Sequence, residues 1–190
     1  VTDFICLAVV RSLVESPAVN GRTDGRQAWL RERVDLGLAV ALEAGLVVPV
    51  VRDAHRLRLA ELSERSAAVV AGARAGTLSP GDLTGSTFTI SNMGMLGVEH
   101  FTAIINPGEA AILAVSSTVP TPVVLGEGIA IRSIMRMTLS ADHRLVDGAL
   151  AASFLNAVRR RLEDAGWLRA EAEAGGGATQ AQRTELRGPG

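Results

Sequence analysis

Asp142-His143-Arg144-Leu145-Val146-Asp147-Gly148 follows a run with β character, Ile129 to Leu139 (IAIRSIMRMTL), and precedes a long helical pattern, Ala149 to Leu162. An imidazole is thus expected where a strand gives way to a helix, with two carboxylates and a guanidinium close by. Histidine is the side chain whose ordinary pKa lies nearest neutrality, so this setting suits a general base. Two plainer readings stand beside that one. His143 and Asp147 are four residues apart, a spacing that on a helix can hold a metal, although no companion motif supplies a third ligand. A histidine can also simply pack at the end of a strand. Asp142, Arg144 and Asp147 crowd around His143 just before a glycine, and such charges are costly to bury without partners. Active sites are where that cost is tolerated.

Working outward, the 190 residues are 47% apolar, enough for one sizeable domain with a core. The net charge of −1 and the lack of a basic run argue against nucleic acid as a partner. One cysteine, Cys6, excludes an internal disulfide and a cysteine-based metal cluster. No window approaches the roughly 18 uninterrupted apolar residues of a membrane helix, and the opening residues lack a secretory pattern. A cytoplasmic protein with no membrane partner and no metal is expected.

The chain contains no tyrosine and no lysine. Without lysine there is no Schiff-base chemistry and no Walker-type phosphate lysine. Nor is there a point of attachment for a lipoyl or biotinyl arm, so any swinging arm must come from another chain or segment.

In chain order, Thr2 or Asp3 caps a helix with Phe4, Leu7, Ala8, Val10 and Val14 on its apolar face, ended by Ser16-Pro17. So abrupt an opening suggests that an N-terminal segment is missing. Residues 28–33 read as an edge strand and 34–42 as a more buried one. Residues 46–51 follow as a strand that Pro49 places at an edge or a bulge. A helix runs from about Leu59 to a C-cap at Gly76. Thr87 to Ser91 is an alternating strand, followed by a glycine-spaced segment, Asn92 to Gly97, that lets backbone approach a ligand closely. Residues 110–116 read as a buried strand, and a separate short strand between Pro122 and Gly126 forms a hairpin with Ile129 to Leu139. Cys6, His55, His100, Met93 and Met95 read as packing or surface residues. The domain is expected over 1–168 and a disordered tail over 169–190, rich in Ala, Glu, Gly and Gln. Mixed helices and strands without strict βαβ alternation favour an α/β chain of the α+β type, a mixed sheet covered by helices on one side.

Four stretches together resemble a known family. They are Gly45-Leu46-Val47-Val48-Pro49-Val50, Thr87 to Gly94 with Gly97, Ala103 to Pro107 leading into Ala110 to Leu113, and Asp142 to Gly148. In this order they are similar to the catalytic domain of the dihydrolipoamide acyltransferases, the E2 components of 2-oxo acid dehydrogenase complexes. The resemblance implies the chloramphenicol acetyltransferase-like two-layer sandwich. It also implies acyl transfer, acetyl favoured, between dihydrolipoamide on a lipoyl domain and coenzyme A. His143 would be the general base, Asp147 a residue that holds the geometry, and Ser91 the donor to the oxyanion, with no metal. The lipoyl group would come from another domain or chain. Homotrimers would build a larger core served by E1 and E3 components, with each site between neighbouring subunits. Ser86 stands where the family commonly has a second glycine, and little consequence is expected of it. A small-acceptor coenzyme A-dependent O-acetyltransferase and a non-catalytic core scaffold are the alternatives.

Overall fold

The computed structural model describes residues 1–43 and 45–174. Its centre is helix α1 (Thr2–Glu15), in which Ile5 through Val10, Ser12 and Leu13 are all buried. The sequence pattern predicts a single apolar stripe that includes Val14. Instead Val14 is half exposed while Cys6 and Val9 are sealed, because α1 packs against both α2 (Leu59–Ala75) and α3 (Gly148–Glu163). A helix apolar around most of its circumference belongs in a core. Polar residues finish its surface. The Arg11 guanidinium donates to the carbonyls of His55 and Leu57, both at 3.0 Å, and Arg161 donates to Ser12 Oγ and pairs with Glu15.

Among the described residues nine strands follow in chain order: β1 (Arg22–Thr23), β2 (Ala28–Trp29), β3 (Leu36–Leu38), β4 (Val40–Leu42), β5 (Gly45–Val47), β6 (Val50–Val51), β7 (Phe88–Asn92), β8 (Ala111–Leu125) and β9 (Gly128–Ala141). Five form the main sheet in the order β6-β3-β7-β8-β9. Strand β7 is parallel to both neighbours, and the outer pairs are antiparallel. The sheet is mixed, as the sequence implies, and β6, just after Pro49, is an edge strand.

Four strand readings need correction. Residues 46–51 are not one strand: β5 pairs with β4 in a hairpin, and only β6 joins the main sheet. Of residues 28–33 only Ala28 and Trp29 are extended, and they pair with β1 in a separate ribbon, with Arg22 stacked 4.5 Å over the Trp29 ring. Residues 34–42 are not one strand: β3 joins the main sheet, whereas β4 pairs with β5 in a hairpin. Residues 110–116 and the short strand after them are one piece, β8, with a register shift between Val115 and Thr118.

The two faces of the sheet are covered differently. Phe88 and Ile90 face the helices, and the Phe88 and Phe154 rings meet at 5.7 Å and 54°. Alternation sends Thr89 and Ser91 to the other face. Register places Thr89 in a row with Ile112 and Ser140, and Ser91 in a row with Ala114 and Thr138. Ile112 and Ala114 are buried without belonging to the helix-side core. Their cover is the segment from 98 to 108, pinned where Ser117 N donates to Val98 O and Ser140 Oγ donates to Ala103 O.

Beyond the reach of β7, β8 and β9 continue as a two-stranded arm that exposes Val124, Ile129 and Ile131. Residues 165–174 are helical, so the segment expected to be disordered from 169 begins in a helix; the remainder of that expectation lies outside the described residues. Among the described residues no helix is long and apolar enough to cross a membrane.

Candidate active site

Apart from one tie to the neighbouring strand, His143 is placed by bonds that are short in sequence. Asp142 N donates to Ala110 O and closes the β9 ladder, and Leu145 N and Val146 N both return to Asp142 O. The Asp142 carboxylate takes the Arg144 guanidinium through Nε at 2.9 Å and Nη2 at 2.6 Å. That bond holds the Asp142 carboxyl below its usual range. Val146, 1% exposed, pegs the turn into the core. Asp147 then caps α3, accepting from Leu150 N at 2.8 Å. A side-chain acceptor at this position satisfies one of the orphan N–H groups at the helix start.

The charged corner is on the surface. His143, Arg144 and Asp147 are exposed, so the cost of burial that the sequence suggests does not arise within one chain. His143 precedes the helix and Asp147 is its N-cap, so the pair does not share a helical face as a metal pair would. The imidazole has no hydrogen-bond partner among the described residues.

Ser91 occupies the fourth position of β7, half buried, and its hydroxyl is likewise free of side-chain bonds among the described residues. The chain after it is tightly fixed. Met93 N donates to Val115 O, Gly94 N to Asn92 Oδ1 and Ser117 Oγ to Gly94 O. A Cβ on Gly94 would stand 3.0 Å from Asn92 Oδ1 and 3.3 Å from Ser116 O. The close approach expected of this glycine is therefore made to the protein's own strand β8.

The sequence-predicted residues do not meet inside one chain. Strand β9 runs against β7, so its C-terminal end lies beside Phe88 and Ala111, at the start of β7 and β8. From Ser91 to His143 the path is two strands sideways and at least three residues lengthwise. At about 4.8 Å and 3.3 Å per step this is on the order of 15 Å.

Sequence reasoning missed Glu109. It is 7% exposed, and its Oε1 accepts from Ser86 Oγ at 2.5 Å and from Thr89 Oγ1 at 2.7 Å. Burial raises its carboxyl above the usual glutamate range, against the hydrogen bonds of Ser86, Thr89 and Asn106 and the charge of Arg31. The two hydroxyls that donate to it lie twenty or more residues away, and no local pattern marks it. Ser86, of which little consequence is expected from the sequence, is one of its two hydroxyl donors. The plainer assignments hold elsewhere: burial pushes the Cys6 thiol up to about 12, and His55 Nδ1 accepts from Val34 N at 3.3 Å.

A family model described as 2-oxoacid dehydrogenases acyltransferase (catalytic domain) matches residues 1–168. The chain belongs to this family. It is 42% identical over 163 residues to the dihydrolipoyllysine-residue acetyltransferase component of the pyruvate dehydrogenase complex of Rickettsia bellii, covering 86% of this chain and 39% of that protein. The chain thus spans about two fifths of the curated relative's length.

Among solved structures, the dihydrolipoamide acetyltransferase of Azotobacter vinelandii superposes with a TM-score of 0.84 at 33% identity, covering 90% of this chain and 70% of that one. In that enzyme a serine, a histidine and an asparagine are studied for their role in the catalytic mechanism. The cubic core of a pyruvate dehydrogenase multienzyme complex gives 0.82 at 32% identity, over 90% and 71% of the two chains. Chloramphenicol acetyltransferase, at 14% identity and a TM-score of 0.56, shares the fold alone. The acyltransferase sandwich expected from the sequence is the fold observed.

Proposed function

We propose that this domain transfers an acyl group, acetyl by preference, between a dihydrolipoyl thioester and coenzyme A. The observation that carries the proposal is the spacing of three residues. The serine, histidine and asparagine of the Azotobacter vinelandii enzyme are separated along its chain as Ser91, His143 and Asp147 are here. Only the third differs, an aspartate standing for an asparagine, and both side chains can cap a helix. The chain has no lysine to carry a lipoyl group, so the arm arrives on another domain or chain.

In the transfer, a nitrogen of His143 takes the proton of the coenzyme A thiol as its sulfur attacks the thioester carbonyl. A free thiol with a pKa near 8.5 is only a few per cent ionised at neutrality, so base assistance at that moment matters. The carbonyl oxygen becomes an oxyanion, which the Ser91 hydroxyl stabilises by a hydrogen bond. A preorganised donor of this kind is typically worth about 10²-fold or more. The intermediate collapses, the carbon–sulfur bond to the dihydrolipoyl group breaks, and that sulfur takes the proton back from the imidazolium.

Because His143 and Ser91 lie on the order of 15 Å apart in one chain, each site is formed between copies, His143 of one facing Ser91 of the next. The trimer expected of the family, assembled into a larger core with lipoyl domains and E1 and E3 components around it, supplies that pairing. The apolar arm of β8 and β9 offers surface for such contacts.

Complementation tests the site and the assembly together. His143→Ala and Ser91→Ala are each expected to be nearly inactive in transfer from acetyl-dihydrolipoamide to coenzyme A. When the two are unfolded, mixed and refolded together, hybrids regain a fraction of sites with both residues intact. Full activity in either variant alone, or no recovery from a properly refolded mixture, would refute a shared site.

A further inference from the structure

Among the described residues no helix lies over the face of the sheet that carries Ser91, and the 98–108 segment does the covering. Its far end is held by one buried cluster. Asn106 Nδ2 donates to Thr89 Oγ1 at 2.9 Å, Thr89 Oγ1 donates to Glu109 Oε1, and Ser86 Oγ donates to the same oxygen. Three parts of the chain therefore converge on one carboxyl: the entry to β7, the strand itself and the foot of the covering segment. Thr89 is entirely buried and lies two residues before Ser91 on the same face. The cluster is also crowded, since a Cβ on Gly37 of the adjoining strand would fall 2.6 Å from Thr89 Oγ1.

A carboxyl at the start of β8 is an expensive way to tie down a loop. Glu109 Oε2 is buried with no protein partner among the described residues, so the carboxyl's side-chain hydrogen bonds all run through Oε1. The cover passes over the row of Thr89, Ile112 and Ser140. In the next row Ala114 is buried, while Ser91 and Thr138 remain partly exposed.

We propose that Glu109 is a positioning residue for the acyl-transfer site: through Ser86, Thr89 and Asn106 it fixes β7 against the 98–108 cover and so aims the Ser91 hydroxyl. This rests on the transfer function proposed above. Glu109 touches no reacting atom, and its effect is exerted entirely through Ser91. A hydroxyl misaimed by a fraction of an ångström loses its advantage in the transition state more than in binding, so the effect falls on kcat.

The test is a double-mutant cycle with a rescue. Glu109→Ala is expected to lower kcat about 10-fold or more with the KM for coenzyme A within about 2-fold, and Glu109→Gln, which keeps the Oε1 acceptor, to recover most of the loss. In a Ser91→Ala background the same Glu109→Ala change is expected to cost almost nothing further. An unchanged kcat, or an equal loss in both backgrounds, would overturn the positioning role and leave a structural one. Amide hydrogen exchange over residues 98–106 reads the clamp without catalysis, and unaltered protection in Glu109→Ala would overturn it even in an active protein. A wild-type chain that transfers no acyl group would instead defeat the functional proposal, and the exchange measurement would still judge the clamp.

Discussion

Ser91 and His143 sit at opposite ends of one sheet, Ser91 near the finish of β7 and His143 just past the finish of the antiparallel β9. Neither side chain has a hydrogen-bond partner among the described residues. In the transfer proposed above, each supplies one half of a site, and neither is engaged within its own chain.

The exposure of His143 separates its chemistry from its contribution to stability. Replacing it with alanine is expected to lower transfer by about 10²–10⁴-fold. Because it makes no bond, folding free energy should change by less than about 0.5 kcal/mol. Steady-state assay beside urea denaturation checks both halves. A large loss of stability would mean that the turn needs the imidazole.

Asp147 is expected to behave in the opposite way in denaturation. Its Oδ1 satisfies Leu150 N at the start of α3. Asp147→Ala should cost about 1 kcal/mol of stability, and Asp147→Asn much less, since asparagine caps nearly as well. If both variants unfold at the same denaturant concentration as the parent, the cap is not what the aspartate contributes.

Glu109 gives a pH dependence whose sign can be worked out. Burial raises its folded-state pKa, while the unfolded chain titrates in the ordinary glutamate range. The folded form therefore holds a proton that the unfolded form has lost. The associated stability is present below the ordinary value and disappears as pH rises through the higher folded value. Arg31, the cation facing the group, narrows that window without reversing it. Glu109→Gln lacks the titration, so its stability relative to the parent should improve steadily above the ordinary glutamate range. Denaturation curves that stay parallel across this range would contradict the assignment.

Gly37 has no room for a side chain: an added Cβ would meet Thr89 Oγ1 at 2.6 Å and Val48 Cγ1 at 2.7 Å. Gly37→Ala is expected to destabilise by about 1–3 kcal/mol through overpacking. It should also loosen the 98–106 amides, because the displaced atom is the one that bonds Glu109 and Asn106. Thermal unfolding with hydrogen exchange would show either effect to be missing.

How far the sequence could be read follows from the range of the bonds involved. The His143 turn is legible because Asp142, Arg144, Asp147 and Leu150 settle its geometry within nine residues. The division of residues 34–42 is not. There Leu38 N donates to Pro49 O and Ala39 N to Ile90 O, so the chain passes from one sheet to a hairpin within the unbroken apolar run Leu38 to Leu42. Prolines 120 and 122 suggest a break in β8 that does not occur. Strand β7 has ended by then, leaving an open flank where a missing N–H is tolerated. Glu109 and Ser86 could be paired only by knowing that β7 and β8 lie side by side.

Strand β8 is a single fifteen-residue beam. Its first half lies against β7 with Ala114 beside Ser91, and its second half is the arm. A push on Val124 or Ile129 therefore meets no slack loop on its way inward. It runs along the ladder to the irregularity between Val115 and Thr118, where Ser117 is bolted to Val98 and Gly94. Whatever seats the arm therefore acts on the same strand that lies beside Ser91.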